Sequence, residues 1–371
     1  MKVIHILNEL KFSGAEIMYV DASDIFQKLG CELYVVNTSD KLGEFASHFQ
    51  TANYKVFHWP YPKHYIQRWL YYFKVIKKLK KGKYDIVHIH SSALKWGMSF
   101  CAWMAGCKCI YTFHNVFRSH WYSYIYHWWL RWSAKNLFGC TFQTISDSVY
   151  NNELFYYHNK TYKVNNWYNH NRFYPAIGNE KSIIRKKLGI DQEALVIISV
   201  GGCSGIKRHS DIIKALAEIV KYNKNVLYLH LGEGASLSYE KNMASEMNIS
   251  KYIMFCGNQV DVRQYLIASD IYLMTSKFEG ISLTTIEAMA CHIPAILYDV
   301  PGLRDFNKET HCSELISEDP YILAQTIINI YKNESIKNEL IANAEKNVNS
   351  NYNMRINAVE IFKLYNNKCK K

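Results

Sequence analysis

Short, nearly continuous apolar runs punctuate both halves of the chain. In the first half they are KVIHILN (2–8), CELYVVN (31–37), DIVHIH (85–90), CIYTFH (109–114) and CTFQTI (140–145). In the second half they are LVIISV (195–200), VLYLHL (226–231), IMFCG (253–257), IYLMT (271–275) and AILY (295–298). Runs without polar alternation suit strands covered on both faces of a parallel sheet. Longer helical patterns separate them, which gives βαβ units. The chain is therefore predicted to be α/β, with two Rossmann-like, doubly wound parallel-sheet domains. A length of 371 residues also favours two cores over one.

The polar, aromatic stretch NNWYNHNRFYPAIGNE (165–180) separates the two sets of runs and reads as a linker. It predicts an N-terminal domain over 1–170 and a C-terminal domain over 171–345. Residues 346–371 have helical character and are expected to pack back across the domains. Open α/β sheets take ligands at the carboxyl ends of their strands, so the expected site is a cleft lined by loops of both domains.

Two of those loops carry candidate chemistry. In SKFEGISLTTIEAMACHIPAI (276–296), a strand ends in KFEG and strong helix formers follow. Gly280 allows a close turn, and the amides of Gly280, Ile281, Ser282 and Leu283 are the expected donors of an anion site at the helix start. Glu279 sits at its lip, and Glu287 lies within about two turns. Carboxylates beside an anion site suit hydrogen bonds from sugar or ribose hydroxyls. Acidic residues early in a helix also complement its dipole, and spacing leaves both readings open. The loop GGCSGIKRHSDIIKAL (201–216) lacks the Walker spacing, yet Lys207, with Arg208 beside it, can neutralise a diphosphate leaving group. A solvated lysine is the plain alternative. Gly14 in SGAE lets backbone approach a ligand at the first helix, or serves the turn alone.

Charge changes the picture of the first half. The net charge is +12, and residues 1–175 hold 21 Lys+Arg against 10 Asp+Glu. Such asymmetry suits nucleic acid, anionic lipid or a phosphate-bearing substrate. KHYIQRWLYYFKVIKKLKKGK (63–83) carries Lys74, Lys77, Lys78, Lys80 and Lys81 among aromatics, and FRSHWYSYIYHWWLRWSAKNLF (117–138) carries Trp128, Trp129 and Arg131. Amphipathic segments of this composition suit a lipid headgroup zone. The expectation is peripheral docking on the inner face of an anionic membrane. Solvated or core-packing helices are the plainer alternative. The apolar-leaning run Trp96–Cys107 is shorter than the roughly 20 residues of a spanning helix. Ten cysteines fall without a metal-like spacing and no signal peptide is evident in MKVIHILNEL, so a cytoplasmic protein with reduced thiols is expected.

With these residues in view, FEGISLTTIEAMACHIPAI resembles the E-x7-E signature of the retaining glycosyltransferases of family four, which have the GT-B fold. The likeness runs along nearly the full chain in the family's order, through SGAE, DIVHIH, TFHN, TISDSV, NNWYNHNRFYP, VGGCSGIKRH, LGEG and FCGNQVDV. The resemblance implies a C-domain that binds a nucleotide-sugar and an N-domain that binds the acceptor, a lipid-linked or other glycan of surface polysaccharide or glycolipid synthesis. Glu279 would meet the donor sugar and Glu287 the ribose. Lys207 would bind the diphosphate with the amides after Gly280, and Asn258 to Val260 would lie at the base. His114 would reach the sugar from the N-domain, and Gly14 would lie near diphosphate and acceptor. UDP is the first expectation for the nucleotide and GDP the second. No Asp-x-Asp occurs, so neither a metal at the diphosphate nor a cofactor is expected.

Three positions depart from the family pattern. Gly202 stands where an Arg is usual, Asn166-Trp167 where Asn-Gly is usual, and His292 where Gly is usual. A sugar-nucleotide epimerase of the same architecture would need further acid/base residues. A nucleic-acid-binding protein would leave the two glutamates without purpose and lacks any RRM, zinc-finger or helix-turn-helix signature.

Overall fold

The computed structural model of the protein describes residues 1–367. It contains two compact units, one formed by Met1–Asn169 with the helix Met354–Asn366, the other by His170–Asn353. The first is built on seven parallel strands, β1 (Lys2–Leu7), β2 (Glu32–Asn37), β3 (Lys55–His58), β4 (Ile86–Ile89), β5 (Lys108–Phe113), β6 (Thr141–Thr144) and β7 (Tyr162–Lys163). Their order is β3-β2-β1-β4-β5-β6-β7. The second unit has β8 (Leu195–Val200), β9 (Val226–Leu231), β10 (Ile253–Gly257), β11 (Ile271–Met274), β12 (Ala295–Tyr298) and β13 (Glu314–Ile316), ordered β10-β9-β8-β11-β12-β13. Strand order reverses between β1 and β4 in one sheet and between β8 and β11 in the other. In doubly wound sheets this is where ligands bind.

Every apolar run predicted as a strand is one. The strands without such a run, β3, β7 and β13, are all edges. An edge strand pairs on one side only and is less covered, so its sequence has no need of a continuous apolar run. The interior strands match the opposite extreme, with all six residues of β8 buried.

The segment 346–371 does not form one element. Its first part completes the helix Glu334–Asn351 of the second unit, and the helix Met354–Asn366 belongs to the first; residues 368–371 lie outside the described residues. That last helix is tied down from within the first unit. Tyr365 shares a 2.7 Å hydrogen bond with His88 Nδ1, and Lys108 Nζ donates to the carbonyls of Leu364 and Tyr365 at 2.9 Å each. A cation at a helix C-terminus meets both unpaired carbonyls and the negative end of the dipole.

Two departures from the family pattern acquire a physical reason. Trp167 is buried and donates Nε1–H to the Met18 carbonyl at 3.0 Å, anchoring the segment that a glycine would leave loose. His292 follows the helix Leu283–Ala290 with φ +61°, the left-handed conformation that ends many helices and that glycine adopts without strain.

Candidate functional site

The loops after β8 and β11 leave the reversal point of the second sheet side by side. Thr275 Oγ1 donates to the Lys207 carbonyl at 2.9 Å, and the Lys277 amide donates to the Ile206 carbonyl at 2.9 Å. This lacing brings Lys207 Nζ to 2.7 Å from Glu279 Oε1, with side chains 23% and 15% exposed. Ser276 Oγ donates to the same carboxylate oxygen at 2.7 Å. A cation and a carboxylate, partly withdrawn from water, thus occupy one spot above the strand ends. There their attraction exceeds that of a solvated pair.

The loop after β12 holds Glu279 from behind. The Glu279 amide donates to the Pro301 carbonyl at 3.0 Å, and Gly302, at φ +83°, lies so near that a Cβ there would stand 2.2 Å from the Glu279 carbonyl oxygen. Gly302→Ala is expected to cost about 1–3 kcal/mol, through backbone strain and this collision. A urea midpoint equal to the parent's would show that the loop relaxes instead. Sequence reasoning missed Gly302 and Thr275, whose partners lie on loops from different strands, and Ser276, whose reach to Glu279 depends on the turn between them.

The helix carrying Glu287 begins with the helix formers LTTIEAMA. It spans Leu283–Ala290, and Ser282 is its N-cap, with Oγ accepting from the Thr285 amide at 3.2 Å. Of the expected donor set only Leu283 lies within the helix. Gly280, Ile281 and Ser282 precede it, because serine is a strong N-cap and fixes the start. Glu287 is the fifth helical residue and is half-buried.

In the free chain Arg208 has its guanidinium already paired. Its backbone is left-handed at φ 54°, its Nε donates to Asp211 at 2.8 Å, and its Nη1 pairs with Glu318. The guanidinium also lies over the Tyr298 ring at 5.3 Å. Asp211 holds it to the helix that Arg208 caps, and Glu318 to the loop after β13. Asn258 Nδ2 lies 3.5 Å from Glu233 Oε2, while Val260 is exposed. Glu233 belongs to LGEG and joins Asn258 at the carboxyl ends of β9 and β10.

In the first unit, His114 directly follows β5 and ends a line of imidazoles. His5 Nδ1 meets His90 Nε2 at 3.1 Å, and His90 Nδ1 meets His114 Nε2 at 3.1 Å. Burial holds His114 down at about 4 and His5 at about 3. These rings are therefore neutral around pH 7, each with one N–H to donate and one lone pair to accept. Gly14 opens the helix Gly14–Asp21 behind the N-cap Ser13, at the carboxyl end of β1 in the same sheet.

The basic segment forms the helix Tyr65–Gly82. Val75, Ile76 and Leu79 are buried, while Lys74, Lys77, Lys78, Lys80 and Lys81 are exposed. Toward its N-terminal end a stripe of aromatic residues faces outward, Tyr65, Phe73 and Trp69, the last 66% exposed, with Leu70 exposed beside them. In the helix Tyr124–Asn136, Trp129 is exposed, and Trp128 is half-buried and stacked on Trp132. Arg131 corrects the sequence expectation of a membrane-facing cation. It is buried, bidentate to Glu153 at 2.8 and 2.9 Å, and its guanidinium lies 3.5 Å from the Tyr157 ring centre.

Residues 180–347 match the family described as glycosyl transferases group 1, and residues 12–145 match glycosyltransferase family 4. The chain belongs to glycosyltransferase family 4. An Escherichia coli relative, UDP-Gal:alpha-D-GlcNAc-diphosphoundecaprenol alpha-1,3-galactosyltransferase, is 28% identical over 61% of this chain and 60% of its own length. The alpha-monoglucosyldiacylglycerol synthase of Acholeplasma laidlawii is 24% identical over 90% of this chain and 88% of its own. An Anabaena protein, HepE, solved with UDP and glucose, superposes with a TM-score of 0.85 at 17% identity, covering 99% of this chain and all of that one. A Rickettsia africae glycosyltransferase superposes with a TM-score of 0.83, again at 17% identity, over 99% of each chain. The family 4 chain has the GT-B fold. In it, the Lys207–Glu279 pair falls inside the stretch matched to group 1, and Gly14 and His114 fall inside the stretch matched to family 4.

Proposed function

We propose that the chain is a retaining glycosyltransferase, using a nucleoside-diphosphate sugar with UDP as the nucleotide and needing no metal at the diphosphate. The acceptor is a hydroxyl of a lipid-linked glycan in polysaccharide or glycolipid synthesis. The Lys207–Glu279 pair carries this reading. A leaving diphosphate needs a cation and a sugar needs carboxylate acceptors, and both stand at one reversal point. In the free chain each neutralises the other, and a donor offers each a new partner. The bond from the anomeric carbon to the diphosphate oxygen breaks, and the acceptor oxygen bonds to the same face. The acceptor proton passes to the leaving phosphate. Glu287 is assigned to the ribose, Asn258 to the base, and neutral His114 to a sugar hydroxyl. The E. coli relative is named for transfer to a GlcNAc-diphosphoundecaprenol and the Acholeplasma relative for making a monoglucosyldiacylglycerol, and both support a lipid acceptor.

A thermal-shift panel of UDP, GDP, ADP and CMP tests the donor half. Only UDP is expected to raise the midpoint, by the same amount with or without added magnesium. Flat curves for all four would overturn the assignment.

The outward aromatic stripe and lysine face of Tyr65–Gly82 support docking at the inner face of an anionic membrane. Among the described residues no helix is long and apolar enough to cross one. Each surface lysine contributes about 1 kcal/mol near anionic lipid. Changing Lys74, Lys77, Lys78, Lys80 and Lys81 to Ser is therefore expected to weaken binding to phosphatidylglycerol vesicles by at least about a hundredfold. Equal binding of parent and variant would sink the idea.

A further inference from the structure

The second unit holds a buried cluster that none of the proposed donor contacts uses. Cys203, His209, His230 and Glu240 each offer a ligand atom, and these atoms all lie within 4.8 Å of one another. The residues come from four places: the loop after β8, the first position of the helix His209–Val220, β9, and the helix Leu237–Glu246. His230 Nε2 lies 2.9 Å from Glu240 Oε2, His209 Nδ1 lies 3.5 Å from Glu240 Oε1, and Cys203 Sγ lies 3.9 Å from His230 Nε2. A tetrahedral zinc ion with ordinary bond lengths sets neighbouring ligand atoms about 3.3–3.6 Å apart. These three separations bracket that range, and the remaining ones stay within 4.8 Å, so side-chain rotations without backbone rearrangement can draw the four atoms onto one ion.

A second, independent observation points to a ligand. His209 Nδ1 is buried without a hydrogen-bond partner, and so is His230 Nδ1. An unpaired buried ring nitrogen destabilises the fold, and a metal bond at His209 Nδ1 removes that penalty. Beside the cluster lies an open cavity of about 450 Å³, lined by Ser204, Arg208, His209, Tyr239, Glu240 and Lys277, which supplies an entry path.

We propose that Cys203, His209, His230 and Glu240 bind a zinc ion that holds the lysine loop in shape. One thiolate, two imidazoles and one carboxylate form a mixed set that suits zinc over magnesium or calcium. As the Sγ–Zn bond forms, the Cys203 S–H bond breaks and its proton passes to solvent, with no change of oxidation state. Four protein ligands complete the coordination, so the ion is structural. Cys203 and His209 stand on either side of Lys207, and the ion clamps both ends of that loop. The missing Asp-x-Asp bears on a metal at the diphosphate and says nothing about this cluster.

The test uses the full chain purified without a histidine tag. Elemental analysis is expected to give about one zinc per chain. Cobalt(II) added after metal removal should give intense tetrahedral visible bands together with a thiolate-to-cobalt charge-transfer band. In Cys203→Ser the charge-transfer band should vanish and cobalt affinity fall at least tenfold. Chelation should lower the parent's thermal midpoint, and zinc but not magnesium should restore it. Purified chain with neither zinc nor a charge-transfer band overturns the proposal without need of any variant. A band persisting in Cys203→Ser overturns it too, because another cysteine then binds the metal. Cobalt held instead by the buried trio His5, His88 and His90 would show no thiolate band and would equally overturn it.

Discussion

Glu279→Gln is expected to lower kcat/KM by about 10²–10³-fold while leaving the protein folded. The exchange keeps the shape of the side chain and removes its charge. The carboxylate accepts from both Lys207 and Ser276, and the amide offers one oxygen and two N–H groups in place of two acceptors. Sugar hydroxyls then lose an acceptor, and positive charge developing at the anomeric carbon loses a nearby anion. Lys207 is left without its partner, but it retains some contact with water, so the stability loss should stay within about 1 kcal/mol. The combined signature is turnover lost with an unmoved urea midpoint. Lys207→Met should lower turnover as well. The double variant should lose less than the two single losses combined, because the residues meet the donor as a unit. A folded Glu279→Gln enzyme with parental turnover of a UDP-sugar would remove Glu279 from the chemistry.

The largest effect on stability is expected at Glu153. Glu153→Gln leaves the Arg131 guanidinium buried with no counter-charge, and breaking such a pair costs about 3–5 kcal/mol. Against a typical domain stability of about 5–15 kcal/mol, this is enough to leave the first unit partly unfolded at physiological temperature. The Asn159 amide also donates to Glu153 at 2.8 Å, so a second buried group loses its acceptor geometry. Arg131→Met combined with Glu153→Leu removes both charges and should recover much of the loss. Urea unfolding of the parent, the single and the double variant measures this directly. A single variant within about 1 kcal/mol of the parent would show that Arg131 finds other company.

Arg131 also marks where reading a sequence stops. The interior strands were legible because burial on both faces leaves an unbroken apolar run, as in LVIISV. The strand–KFEG–helix passage was legible for a similar reason, since its turn residues and helix formers follow in order. Helical spacing, however, cannot say whether a cation among four tryptophans points outward or pairs inward. Glu153, its partner, lies 22 residues on, in an element without any pattern that joins them. Arg208 is a similar case. Next to Lys207 it looks like a second phosphate ligand, yet a left-handed backbone sends it to Asp211 and Glu318. Cys203, His209, His230 and Glu240 have no finger-like spacing, because each comes from a different element and only the sheet brings them together.

The helix Met354–Asn366 has a consequence for how the protein is made. The unit met first along the chain is completed last, since His88 and Lys108 wait for Tyr365 and Leu364 until the whole second unit has been synthesised. The second unit is continuous in sequence and can condense while translation is still under way. The first unit can therefore be completed only after the second has been synthesised. Until its final helix arrives, the first sheet must keep its partly covered histidines and tyrosines from premature partners.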